Sequence, residues 1–315
     1  MKKLGRLQQS EAKLSTNTNS SIYQIRTQGQ KVFGIFNSMV LIILALVCLL
    51  PFWHVISLSL SSNGPVLAGR VRFWPVDFTI EPYKYVLERP PFWRAFTVAL
   101  KRVAIGLPIN LFLTITSAYP LSKDKSRFHL RGVYVWYFFF TMLFNGGIIP
   151  NYLLVNKLGF LDTIWALTLP TCINVFNMLL LLSFFRQLPS ELEDAAFVDG
   201  AGHWRILWQI FVPISIPVIA TVTLFSLVQH WNSWFDGMIY MRNAANYPLQ
   251  TYLRSIIMSF NFSKLTAEEQ ARLARMNIRS VKSAQMVIGA IPILAVYPYL
   301  QKYFITGITL GSVKG

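Results

Sequence analysis

Charge is what this chain has least of. Lys, Arg, Asp and Glu make up 13% of its 315 residues, against about 25% in an ordinary soluble domain. So little charge cannot cover a water-facing surface, which excludes a large soluble globule. Cysteine is nearly missing as well. Cys48 and Cys172 both lie inside apolar runs with no metal-ligand spacing, which excludes a disulfide scaffold or a cysteine metal centre and leaves the redox compartment open. No Gly-rich loop ending in Lys-Ser or Lys-Thr occurs, so the chain carries no ATPase motif of its own. Carboxylates cluster in one place, Glu191–Asp199, with no Cys or hydroxyl nucleophile grouped with them. We therefore expect no catalytic residue, no metal site and no cofactor bound by this chain. A cleavable leader is not expected either, since the first apolar run starts near Val32 and is too long for a leader's apolar core.

What the chain has is apolar sequence, 54% of the total. About 20 apolar helical residues cross a bilayer core of roughly 30 Å, and several runs reach that length. We place six spans near 32–60, 96–119, 132–149, 163–185, 205–235 and 284–304. Pro51 is expected to kink the first, and Pro213 and Pro217 fall in the first half of the fifth. The net charge of +16 comes from 29 Lys and Arg against 13 Asp and Glu. These cations flank the apolar runs, where they hold to headgroups and snorkel from helix ends. Lys101 and Arg102, near the start of span 2, are expected to snorkel outward. A nucleic-acid partner would need a clustered, water-facing patch instead, and is not expected.

Residues 1–31 form a polar, basic tail that cannot build a core. Six spans put both termini on one side. The short 2–3 loop packs Lys123, Lys125, Arg127 and Arg131 together, and the tail adds six more cations, whereas the 5–6 loop (236–283) holds seven. Over all loops the positive-inside count is close to even; the short loop decides for cytoplasmic termini, because long loops translocate regardless of charge. Within 236–283, Thr266 and Glu269 open TAEEQARLARMNIRS as a capping box would, which predicts an external helix. Leu249–Phe260 is amphipathic and expected on the membrane surface or against a partner.

The 4–5 loop (186–207) reads LPSELEDAAFVDGAGHWRILWQIFVPISIP into span 5. Ser190 as N-cap and Glu193 three residues on make a capping box. Glu191, Glu193 and Asp194 load the positive end of the helix with negative charge. Ala195 and Ala196 leave its middle bare, Gly200 ends it, and Gly202 is expected to permit a sharp turn. Such a short acidic helix could simply connect two spans.

The stretch resembles the signature of permease subunits of bacterial binding-protein-dependent ABC importers: Glu-Ala-Ala, three residues, Gly, nine residues, Ile-x-Leu-Pro. Here Asp194-Ala195-Ala196, Phe197-Val198-Asp199, Gly200-Ala201 and Ile210-Phe211-Val212-Pro213 match that spacing, with Asp194 for Glu and Val212 for Leu. The resemblance implies an all-α integral membrane protein of the type I ABC importer permease fold. It also implies that Glu193, Asp194, Ala195, Ala196, Asp199, Gly200 and Ala201 couple to a cytoplasmic ATPase. The family's acid pairs with an arginine of the ATPase, and Glu193 is a second candidate for that pair beside the shorter Asp194. NGGIIPNYLLVNKLGFLDTIWALTLP, HWNSWFDGMIY, YPYLQKYFITG and the ending ITLGSVKG are similar to carbohydrate importers, the branch that includes the alginate importer.

Implied partners are a second permease, two copies of an ATPase carrying ATP and Mg, an extracytoplasmic sugar-binding protein and the bilayer of a bacterial cytoplasmic membrane. By the same resemblance the 305–315 tail reaches the ATPase dimer, beside the plainer reading of a frayed terminus. A non-sugar solute and, less readily, a polytopic membrane transferase are the alternatives. Polar and flat aromatic residues inside spans are candidates for a sugar path: Trp136, Tyr137, Asn145, Asn174, Asn177, Gln229, His230 and Asn232. Amides between helices and aromatic belts account for such residues without a sugar.

Overall fold

A computed structural model describes residues 28–258 and 277–312. Among the described residues the chain is helical, with one isolated antiparallel bridge between Ser61 and Phe78. It falls into two units, Met1–His54 and Val55–Gly315. The described part of the first is most of helix α1 (Gln28–Ser59), which continues through Pro51 as one helix. Its large apolar side chains from Val32 to Trp53 are exposed. Hydrocarbon tails are as apolar as Leu, so such a surface needs no protein cover in lipid.

In the second unit, short helices α2 (Asn63–Leu67) and α3 (Glu81–Leu87) precede α4 (Pro90–Ser122). Pro90 starts α4 because proline at the first helical position gives up an N–H that has no partner anyway. At about 1.5 Å per residue, α4 outruns a hydrocarbon core. Then come α5 (Arg131–Leu143), α6 (Ile148–Lys157), α7 (Ile164–Thr168) with a 3-10 turn to Thr171, α8 (Val175–Phe185) and α9 (Ser190–Val198). Next, α10 (His203–Ile206) passes through a π turn (Leu207–Phe211) into α11 (Val212–Ile214). The chain continues with α12 (Ile216–Asn232), α13 (Phe235–Tyr240), α14 (Leu249–Met258) and α15 (Ile278–Ser312).

Three stretches among the described residues are long and apolar enough to cross a membrane unbroken: Val32–Ser59, Pro90–Ser122 and Ile278–Tyr299. The other three expected spans are bent pairs. Arg131–Leu143 and Ile148–Lys157 meet at 113°, Ile164–Thr171 and Val175–Phe185 at 46°, and His203–Ile214 and Ile216–Asn232 at 85°. Span 3 as read from sequence therefore stops early. Gly147, at φ 89°, turns the chain, and Asn145 Oδ1 accepts the Gly147 N–H at 2.9 Å. The fifth run bends at Ser215 because Pro213 and Pro217 each remove an N–H and crowd the carbonyl four residues back. The sixth is longer than expected, and its backbone stays helical through Ser312 into the stretch read as a tail. The expected 266–280 helix begins outside the described residues.

α4 packs along α8 and α12, and α15 along α12 and α3. One apolar cluster gathers near the start of α4, from Tyr85, Phe92, Ala95 and Ala99 with Trp231, Leu249, Leu253 and Val281. Another gathers at its end, from Ile115, Ala118, Tyr119 and Leu121 with Met178, Leu181, Phe185, Ala196, Ile206 and Phe211. The amphipathic helix α14 thus lays Leu249, Tyr252 and Leu253 on this chain's own core, rather than on a partner.

Candidate functional site

The acidic helix α9 lies against the end of α4. Its C-terminus is as the sequence implies: Gly200 takes φ 79°, a left-handed conformation open to glycine, and Ala201 N–H reaches Ala196 O at 2.9 Å. Gly202, by contrast, is in ordinary extended backbone (φ −79°, ψ 167°), so no special turn is needed there.

The N-terminus differs from expectation. Pro189 occupies the N-cap position, Ser190 is the first helical residue, and no side-chain capping bond forms. Glu193 is instead turned inward and is 4% exposed. Its Oε1 accepts from Lys123 Nζ at 2.8 Å and from Tyr119 Oη at 3.2 Å, and its Oε2 meets Arg127 Nη1 at 3.0 Å. Bonds from ionised donors are about twice as strong as a neutral N–H bond, so the carboxylate leaves the capping box for these cations. Glu193 is therefore not available to an outside arginine. Asp194, half-exposed, is held by Arg127 Nη2.

Lys123 is itself buried, with its ammonium 3.8 Å from the Tyr119 ring centre and 4.1 Å from that of Phe211. Burial pulls the Lys123 ammonium below the ordinary lysine range, opposed by the hydrogen bond to Glu193 and its charge. The Arg127 guanidinium is pushed up, chiefly by its hydrogen bond to Asp194. His203 stands beside the cluster, Nδ1 3.3 Å from Tyr119 Oη. Two cavities of about 340 Å³ flank it. One is polar, lined by Lys123, Arg127, Arg131, Arg186 and Glu193; the other is largely apolar, lined by Tyr119, Phe128, His203, Trp204 and Leu207.

With Glu193 and Ala196 turned in, α9 shows its other side outward. Leu192 (39% exposed), Ala195 and Val198 (89% exposed) lie there, with Asp194 and Asp199 beside them. Gly200 is exposed and Ala201 half-buried at its end. The outward side of α9 is thus an apolar strip edged by carboxylates. No group of three or more His, Cys, Asp or Glu among the described residues is arranged to hold a metal.

The sugar-path candidates separate into groups. Asn174 Nδ2 donates to Gln229 Oε1 at 3.0 Å, joining α8 to α12. Asn177 is buried and donates to Ser226 Oγ at 3.1 Å, and Ser226 donates to Asn110 Oδ1 at 2.7 Å, so it serves as a fastening between helices. Asn145 caps its own turn. Asn232 is exposed. Trp136 and Tyr137 are exposed on α5, edge-on to Phe139 and Phe138, and are not brought to the Asn174–Gln229 pair by any contact described.

Sequence reasoning missed two ionic partnerships. Arg102 does not snorkel: it is 1% exposed and pairs with Asp236, its Nη1 3.1 Å from Oδ1, while Ser233 Oγ and Gly237 N–H also donate to that oxygen. The available signal was Pro90, which starts α4 ahead of the expected span and so sets Arg102 deeper in the helix, where charges usually pair inside the bundle. For Glu193, the signal was the basic 2–3 loop facing the chain's one acidic cluster.

The family described as binding-protein-dependent transport system inner membrane component matches residues 94–309. Protein LplC of Bacillus subtilis (strain 168) is 40% identical over 293 residues, covering 92% of this chain and 97% of LplC. The polygalacturonan/rhamnogalacturonan transport system permease protein YtcP of the same strain is 37% identical over 277 residues, covering 87% and 96%. A chain in the crystal structure of a bacterial ABC transporter involved in the import of the acidic polysaccharide alginate aligns with a TM-score of 0.79 at 34% identity, covering 88% and 98%. A second chain, from the alginate transporter in complex with an alginate pentasaccharide-bound periplasmic protein, shares the fold at 16% identity and TM-score 0.52. By sequence and by fold, this chain belongs to the binding-protein-dependent transport system inner membrane components, the permease subunits of ABC transporters.

Proposed function

We propose that this permease moves oligosaccharides into a bacterial cell by alternating access, driven by a separate cytoplasmic ATPase that grips α9. The outward strip on α9 carries the reading: a helix of nine residues, held inward by Glu193 and Ala196, still leaves Leu192, Ala195 and Val198 outside. Apolar side chains at a water-facing loop are costly unless a partner covers them. Asp194 and Asp199 beside the strip favour a partner surface that brings cations. ATP and Mg belong to that partner, two copies of it, and a second permease completes the passage. An extracytoplasmic binding protein delivers the sugar.

Relatives named for polygalacturonan and rhamnogalacturonan transport, and a structural neighbour named for alginate import, make uronate oligomers the first substrate class to test. Asn174 and Gln229, paired and half-buried between α8 and α12, are the polar groups best placed to meet a sugar hydroxyl. The basic 2–3 loop meets α9, which supports a cytoplasmic position for both under the positive-inside rule.

The test is reconstitution of this chain with its sister permease, ATPase and binding protein. Leu192→Asp with Val198→Asp is expected to lower ATP hydrolysis stimulated by trigalacturonate and the binding protein by about 30-fold, the loss of a buried contact worth roughly 2 kcal/mol. Undiminished stimulation with normal membrane insertion would overturn the docking reading.

A further inference from the structure

We infer that Lys123 and Tyr119 are positioning residues that fasten α9 to the end of α4, so that movement of α9 is delivered to α4 as well as to the helices it is joined to by the chain. This rests on the docking of α9 to an ATPase. The covalent links alone are uneven. On one side α9 follows α8 through Arg186–Pro189, while on the other it reaches α10 through Gly200 and Gly202, where an added Cβ would meet nothing within 4 Å. Glycine has the widest backbone freedom of any residue, so the chain itself constrains this junction less than it would with side chains there.

The side-chain link is of another kind. Glu193 and Lys123 have side chains only 5% and 8% exposed, meet at 2.8 Å, and lie among the Tyr119 and Phe211 rings. Removing Glu193 strands the Lys123 ammonium away from water, and removing Lys123 leaves Glu193 only the more exposed Arg127 as a cation partner, the costly way to break an ion pair. Ala196, one turn on, packs into the cluster holding Ile115, Ala118, Tyr119 and Phe211. Two points of attachment, at Glu193 and Ala196, prevent α9 from swinging separately from the end of α4. Arg127 contributes less: it meets Glu193 Oε2 at 3.0 Å and also Asp194, but its own side chain is 39% exposed, and water screens such a pair. From there α4 leads inward to the Asn110–Ser226–Asn177 fastening, and beyond it to Arg102–Asp236. A push at α9 thus has a packed route to the far end of α4.

The experiment uses the complete complex in lipid nanodiscs, with Cys48 and Cys172 replaced by Ser. Arg94→Cys, exposed near the start of α4, reports the far end by its rate of maleimide labelling, with and without ATP, Mg and orthovanadate. The parent complex is expected to change its labelling rate about tenfold, as a shift between two states produces. Lys123→Met is expected to abolish that response while the ATPase co-purifies in full yield, and Arg127→Gln to keep most of it.

Should Lys123→Met be poorly produced, Lys123→Glu and the exchanged pair, Lys123→Glu with Glu193→Lys, give the same reading. The response should be absent in Lys123→Glu and restored in the exchanged pair, with the ATPase co-purifying in both. A parental response in Lys123→Met or in Lys123→Glu overturns the inference and leaves docking intact. A parent complex that does not retain the ATPase at all overturns both.

Discussion

Arg102 and Glu193 are charged side chains that the fold has taken out of water, and each is tolerable because its partners are fixed around it. Arg102 has Asp236, which Ser233 and the Gly237 N–H hold in place. Deleting one member of a buried pair costs about 3–5 kcal/mol, whereas replacing both by packed apolar groups is often neutral. Asp236→Ala is therefore expected to lower the thermal unfolding midpoint in detergent substantially. Asp236→Leu with Arg102→Met should recover most of that loss, and equal losses in both variants would show that the pair is not the source. The same logic corrects the reading of Glu193. Its place in the acidic run suggested a capping or docking acid, yet Lys123 and Arg127, from another loop, turned it inward. Asp194, where the family signature has its acid, keeps its carboxylate 55% exposed beside Arg127.

At the scale of elements, the apolar runs were legible and their bends were not. Periodicity and length located α4 and α15 because each is continuous over its whole run. Three other runs break at Gly147, near Asn174 and at Ser215. Pro213 and Pro217, placed in the first half of the fifth run, flank its one bend at Ser215, but α4 continues through Pro108 and α1 through Pro51. A single proline is tolerated inside a membrane helix, whereas two prolines four residues apart free and crowd carbonyls on both sides of Ser215.

Close approach is also decided between elements. A Cβ on Gly106 of α4 would stand 2.7 Å from the His230 ring of α12, and that ring is buried. Gly106→Ala is expected to destabilise by about 1–3 kcal/mol, read as a lower midpoint of unfolding, and His230→Ala in the same chain should relieve part of it. Gly200→Ala meets no neighbour but must adopt φ 79°, at roughly 1–2 kcal/mol. Its effect should appear as lost helix at 190–198 in hydrogen exchange, with little change elsewhere.

At the scale of the whole molecule, α4 relates the two faces of the membrane. It is long enough to cross, and its start and end belong to different apolar clusters. Single cysteines at Lys125 and Asp199 are therefore expected to react with an impermeant maleimide from the same side, and one at Arg94 from the other. Labelling of Lys125→Cys and Asp199→Cys from opposite sides would rule out the clamp between α9 and the 2–3 loop. The sequence by itself determined the membrane class, the number of apolar runs and the short acidic helix between the fourth and fifth of them. Those follow from composition, run length and a local spacing, each a property of neighbours along the chain. Only the tertiary structure decided which acid of α9 is buried and which faces out, that Arg102 is paired inside rather than snorkelling, and where the runs bend. The first two depend on which distant side chain lies within about 3 Å, a contact that in a low-dielectric interior outweighs what adjacent residues prefer; the bends lie at local glycine and proline positions whose angle the run of apolar residues does not set.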